Sequence, residues 1–272
     1  MNAMKKWAIL LFLALAFGPA QGLAVPILGS NLATFAVLGA DGSGGGVTNV
    51  PTSVIGGNLG SAPNPAVGGG YIFTAGSLQP NTALAQSAQL QLDTAIVSLS
   101  AFGVGTNVPG GSLDIFQASQ IGSVIHPGTY TVPAPITPNL AGALVLDGGG
   151  SNSAVWVFQF PSTLITSTTS TVTVQNVGNG ANVGVYWNVH SAATLNGNVF
   201  AGNVLAHDLI SSDGNLHIAC GRLLSATTQV TLIQDHISIG CGKTGEAGFG
   251  SGGFDQGVGI GSGALVGRGA KS

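Results

Sequence analysis

Two groups of polar residues in this 272-residue chain are candidates for a binding surface or a reactive site. The first is a series of hydroxyls, each set in a short apolar segment: Ser162-Thr163-Leu164, Ala193-Thr194-Leu195, Ile210-Ser211-Ser212 and Val230-Thr231-Leu232, with Thr137 as an outlying member. Thr163, Thr194, Ser211 and Thr231 follow one another at 31, 17 and 20 residues. A recurrence near 17–20 residues, with β-branched strands and Gly/Asn corners, predicts a chain wound on itself. Strands in such a coil stack about 4.8 Å apart, and side chains on one face repeat at every second residue. One hydroxyl per turn then builds a fixed grid of methyls and hydroxyls. The methyls order neighbouring water and the hydroxyls anchor it. Taken singly, each threonine is an ordinary strand former on a solvent face; only the column makes a surface.

The second group is His207, Asp208, Asp213, Asp235 and His236. Two carboxylates and a histidine could do general acid–base work, as in parallel β-helices that cleave polysaccharides. Aspartates at turns more often cap their own backbone, and a catalytic reading lacks the Lys and Arg such enzymes use. Arg222 is the only basic residue between Lys6 and Lys243, and it is expected to pair with a turn aspartate or backbone carbonyls. No catalytic residue is assigned, and the chain is read as not an enzyme. His217 and His236, 19 residues apart, would stack on adjacent turns. Without further ligands they read as surface, so no metal and no other cofactor is expected.

The elements that must hold these residues are β-strands. Charged residues make up 6% of the chain, glycine occurs 45 times, and the sole glutamate is Glu246. Helix formers are scarce, and Val, Ile and Thr abound, which predicts an all-β fold with many Gly-bearing turns. A nucleic-acid binder needs a basic surface, which this composition excludes. The segment from Thr82 to Leu99 breaks the pattern: it has no Gly or Pro, and Leu84, Ala88, Leu92, Ala95, Ile96 and Leu99 form a helical stripe. A helix of about 18 residues, about 27 Å long, is expected over 82–99, lying along the β-body with Asn81 or Thr82 as its cap. Trp156 and Trp187 sit in apolar strands and read as core. Gly202–Ala206 aligns with Gly221–Ser225 at an offset of 19, as His217-Ile218 does with His236-Ile237. That offset favours a solenoid coil over a sandwich of short strands.

Lys5 and Lys6 precede an apolar run, Trp7 to Phe17, and a small-residue zone ending Gly22-Leu23-Ala24. This is an export signal over 1–24, cleaved after Gly22 or Ala24 and too short for a comfortable membrane span; an uncleaved anchor is the alternative. Cleavage leaves 4 basic and 9 acidic residues, a formal charge of −5. Export permits disulfides, and Cys220 and Cys241 are the only cysteines. Their pairing would close a loop of about 20 residues and stabilise by roughly 3 kcal/mol; free thiols or half a metal site are the alternatives. The domain spans 25–241. Residues 242–272 are Gly-rich and almost strandless, and are expected to form a flexible tail.

Read in order, Phe35–Leu38, Val54–Gly60, Pro127–Tyr130, Leu144–Asp147, Ala154–Phe160, Val185–Val189, Ser191–Leu195, Phe200–Ala206 and Gly221–Leu224 resemble the microbial secreted ice-binding (antifreeze) β-solenoid family over about residues 27–240. The resemblance implies a discontinuous right-handed β-solenoid of triangular cross-section, with one long helix packed alongside. It also implies adsorption to an ice crystal surface through one flat face, for which Thr137, Thr163, Thr194, Ser211 and Thr231 are the candidates. The protein is then expected to be secreted or at the cell surface, monomeric, and without a membrane span after signal cleavage. The alternative is a structural or adhesive extracellular module that keeps the fold without ice activity. Three departures weaken the grid: Val145 where the family often carries Thr, Ser at 211, and a Thr/Ser-dense insertion over Ile165–Thr173.

Overall fold

The structure is a computed structural model describing residues 27–41, 45–133, 136–151, 153–177, 183–240, 254–256 and 265–267. The expected signal segment 1–24, Cys241 and most of 242–272 lie outside the described residues. Among the described residues parallel strands dominate: one sheet has fourteen strands and another has five. Two α-helices are present among the described residues, α1 (Ala83–Ser100) and α2 (Leu113–Ala118). Neither is long and apolar enough to cross a membrane.

The strands form three stacks. The first runs Leu78–Pro80, Asn58–Ser61, Phe35–Gly39, the end of His217–Ser225, the end of Val199–Ala206, Gly184–Val189, Val155–Phe160, Gly128–Thr131 and Thr106–Asn107. The second runs Tyr71–Ala75, Ser53–Gly56, His236–Ser238, the start of His217–Ser225, the start of Val199–Ala206, Thr171–Gln175 and Ala143–Asp147. These two stacks share the fourteen-stranded sheet because Val199–Ala206 and His217–Ser225 pass round a corner without ending. The register shifts there between Ala201 and Gly202, and Gly202 (φ 95°) and Cys220 (φ 62°) take the left-handed backbone that the bend requires. The third stack is the five-stranded sheet: Leu164–Ile165, Ala193–Leu195, Ile210–Ser212, Val230–Ile233 and Val47–Val50.

The stacking order departs from chain order. Val47–Val50 pairs with Val230–Ile233, Ser53–Gly56 with His236–Ser238, and Phe35–Gly39 with His217–Ser225. The N-terminal coils therefore sit on the last C-terminal coil. The chain leaves one end of the body after Pro80 and re-enters at the other at Thr106. Nine stacked strands span about 38 Å. An 18-residue helix covers about 27 Å of that distance, which is why the return segment is one helix of this length.

Helix α1 begins where Thr82 Oγ1 accepts a hydrogen bond from Ala85 N at 3.2 Å. Its stripe of Ala85, Ala88, Leu92, Ala95 and Leu99 packs on Phe35, Leu38, Val157, Tyr186, Leu205 and Leu224 of the first stack. Burying each such leucine stabilises by roughly 1.5–3 kcal/mol. Gln89 donates to Gly39 O (2.7 Å) and Ser225 O (3.2 Å), pinning the helix across two coils. Arg222, 1% exposed, lies beneath the N-terminal segment and donates to Asn203 Oδ1 (2.9 Å) and Ala33 O. It is a structural clamp on a backbone carbonyl.

Inside the coils, aromatic rings stack from rung to rung. Tyr130–Phe158, Phe158–Trp187 and Trp187–Phe200 have centroids 5.5, 4.4 and 4.8 Å apart. Trp156 and Trp187 are fully buried and donate to Ile125 O and Ala201 O. Helix α2 places Leu113 and Phe116 in this same core, closing one end of the body. At six residues it is too short to show a periodic stripe, and no helix is expected there from sequence. Within 242–272, Phe254–Gln256 and Leu265–Gly267 pair antiparallel. Both are short apolar-bearing segments between glycines, and that suffices for a hairpin.

Candidate functional site

The third stack carries the hydroxyls. Its strands alternate buried and half-exposed residues: Ala193 and Leu195, and Val230 and Leu232, point inward, while Thr194 and Thr231 between them point out. Parallel pairing sets Thr194 beside Ser211, Ser211 beside Thr231, and Thr231 beside Thr48. Thr48 Oγ1 donates to Thr231 Oγ1 at 3.0 Å, and Ser211 Oγ donates to Thr194 Oγ1 at 3.4 Å. The side chains hold one another as well as the strands do. No register shift interrupts any of the four pairings, so the outward positions lie on one straight line of about 19 Å.

The expected column is corrected at both ends. Thr163 is not in line: Leu164 pairs with Ala193 and Ile165 with Thr194, so Ile165 occupies the column and Thr163 lies one outward row to the side. A spacing in sequence does not fix register; the ladder of backbone bonds does. Thr137 is also outside the column. It lies in an exposed bend before Asn139, whose side chain accepts from Ile165 N at 2.8 Å; there the stack continues only as the isolated parallel bridge Leu140–Thr166. Thr48 is the member that sequence reasoning missed. It lies 183 residues before Thr231, and only the discontinuous stacking order brings it in. Val47-Thr48-Asn49 carried the same apolar–hydroxyl signal.

The insertion over Ile165–Thr173 resolves into two parts. Ser167–Ser170 forms a turn, and Thr171–Gln175 forms a strand of the second stack with Thr173 beside Val145. The second stack is also exposed on its outer side. Its outward column reads Ala143, Thr171, Val199, His217, His236, Val54 and Ile72.

The titratable groups do not converge on a cleft. Asp235 is fully buried at the corner between the second and third stacks. Its carboxylate accepts from Ser212 Oγ (2.6 Å), Leu216 N (2.9 Å) and Ile233 N (3.0 Å). Burial raises its pKa, the neighbouring Asp213 charge adds to the rise, and the three hydrogen bonds oppose it. Asp208 sits on an exposed corner, where the hydrogen bond to His207 (2.9 Å) leads in holding its carboxyl below the usual range, with Ser191 and Thr227 assisting. Among the described residues, no three His, Cys, Asp or Glu side chains are grouped to hold a metal. Cys220 is disulfide-bonded; Cys241, its expected partner, lies outside the described residues.

Parallel coils, an alongside helix and a straight outward hydroxyl line define a class: a β-coil protein whose regular feature is a surface and not a cleft. The profile of the Ice-binding-like family matches residues 42–238, and the chain belongs to that family. An ice-binding protein of Nostoc sp. (strain HG1) is 32% identical over 249 residues, 87% of this chain and 84% of that protein. The crystal structure of an ice-binding protein from the Antarctic ascomycete Antarctomyces psychrotrophicus superposes with a TM-score of 0.65 at 27% identity, covering 79% of this chain and 98% of that one. An ice-binding protein from an Antarctic biological consortium gives 0.64 at 26%, covering 79% and 92%.

Proposed function

We propose that the mature chain is a secreted, monomeric protein that adsorbs to ice through the third stack. The observation that carries this reading is the in-register line Thr194–Ser211–Thr231–Thr48, with its hydroxyl-to-hydroxyl bonds. Adsorption to a crystal needs a rigid lattice of weak anchors, and this stack is rigid for three reasons. Its three inner strands are bonded on both sides, its inward residues are packed in the core, and its hydroxyls are positioned by one another. No charged side chain stands in the line itself, so water beside it is not drawn into tight ionic shells. The coil is taken as right-handed and triangular in section, with residues 1–24 removed on export and Cys220 joined to Cys241.

Catalysis finds no support in the titratable groups: Asp235 is enclosed and hydrogen-bonded, and Asp208 is engaged by its neighbours on an open corner. The adhesive or structural alternative is favoured by one observation, the interruption of the line at Ile165. Thermal hysteresis and ice recrystallisation inhibition by the purified mature chain decide between them. Activity at micromolar concentration supports adsorption, and none at any concentration leaves the structural module.

A further inference from the structure

We propose that His217 and His236 form a two-point site for a divalent transition-metal ion on the second stack. The two residues are direct partners in the parallel pairing of His217–Ser225 with His236–Ser238. Their backbones are fixed, since His217 N donates to Asn198 O and His236 N to Leu216 O, each at 2.8 Å. Their rings lie 5.9 Å apart by centroid and are inclined by 33°. Val199 and Val54 flank them in the same outward column, so the pair is bounded by apolar side chains. His217 is half-buried and His236 exposed, which leaves an open side for solvent ligands.

An ion about 2.0–2.1 Å from each imidazole nitrogen puts two adjacent ring centroids roughly 4.5–5.5 Å apart. The observed 5.9 Å is within a small side-chain rotation of that range. Imidazole suits Cu(II), Ni(II) and Zn(II), with Cu(II) held most tightly. No third His, Cys, Asp or Glu completes the set among the described residues, so water fills the remaining positions and the ion is exchangeable, not structural. The other described histidines lack this arrangement. His207 is engaged by Asp208, His190 faces Ser100 Oγ at 3.5 Å, and His126 lies within electrostatic reach of the Asp147 carboxylate.

The test uses the mature, untagged chain titrated with one equivalent of Cu(II) at neutral pH. Electron paramagnetic resonance should show two equatorial imidazole nitrogens in the native protein. His217→Ala and His236→Ala should each show one, with affinity lowered at least about tenfold, or about 1.4 kcal/mol. His207→Ala should match the native protein. Both positions are on the surface, and His217→Gln with an unchanged circular dichroism spectrum separates ligand loss from misfolding. A single-nitrogen signal in the native chain overturns the proposal, and so do single variants that keep native affinity. Neither result bears on ice adsorption, which is read separately.

Discussion

The second and third stacks are built on the same backbone lattice, yet they present different surfaces. The third shows a hydroxyl at four consecutive outward positions, Thr194, Ser211, Thr231 and Thr48. The second shows alanine, threonine, valine, two histidines, valine and isoleucine in the equivalent line. Its ladder also slips between Ile55 and Gly56, where Ser53–Gly56 meets Tyr71–Ala75. Parallel stacking supplies the spacing to any side chain placed on it. What distinguishes a crystal-facing surface from a merely regular one is chemical uniformity along the line, and the third stack has more of it. The second gains something else: two imidazoles on neighbouring strands, with ring centroids 5.9 Å apart.

A bulky residue placed on each line should separate the two surfaces most strongly. Thr194→Tyr should lower thermal hysteresis at least about tenfold, as expected when a central anchor is displaced. Thr171→Tyr on the second stack should leave it unchanged. The reverse ranking would move adsorption to the second stack. The next largest effect is on the corner the two surfaces share. Asp235→Ala strands Ser212 Oγ and two backbone N–H groups in the interior and should lower unfolding stability by about 2–4 kcal/mol, read by urea titration.

The pH dependence of that corner follows from its raised pKa. A carboxyl whose folded pKa lies above its unfolded one contributes its full stability below the unfolded value. It loses that contribution as pH rises through the folded value. Native stability should therefore carry a decline from the ordinary carboxylate value upward that is missing from the Asp235→Ala profile. A smaller effect comes from mending the line. Ile165→Thr adds a fifth hydroxyl in register and should raise thermal hysteresis by up to about twofold, while Thr163→Ala, one row aside, should change nothing. The smallest effect is from the ion: saturating Cu(II) on His217 and His236 should leave thermal hysteresis as it was, since it lies on the other surface.

Much of this was legible in the chain. The helix was marked by a Gly- and Pro-free stretch with a 3.6-residue stripe, and it lies at Ala83–Ser100 with Thr82 as its cap. The 19-residue offset reappears as the pairing of Gly202 with Gly221 and of His217 with His236. Thr194, Ser211 and Thr231 are brought into one line because their rungs are consecutive both in sequence and in space. Thr163 misled because the tally of hydroxyls has no knowledge of strand register, and a slip of two residues keeps a side chain outward while moving it to another row. α2 was too short to announce itself, and the buried role of Asp235 depends on donors from Ser212, Leu216 and Ile233 that no local pattern connects to it.

Local choices were written in the residues themselves: strands, corners and one long helix follow from β-branched residues, glycines and a single apolar stripe, all within a few residues of one another. The order in which coils stack was decided only in the tertiary structure. Val47–Val50 joins the hydroxyl line because the N-terminal coils bury their open edge on the last C-terminal coil. That pairing is set by the unsatisfied backbone groups and apolar faces of two distant segments. It completes the Thr231–Thr48 pair across 183 residues of chain.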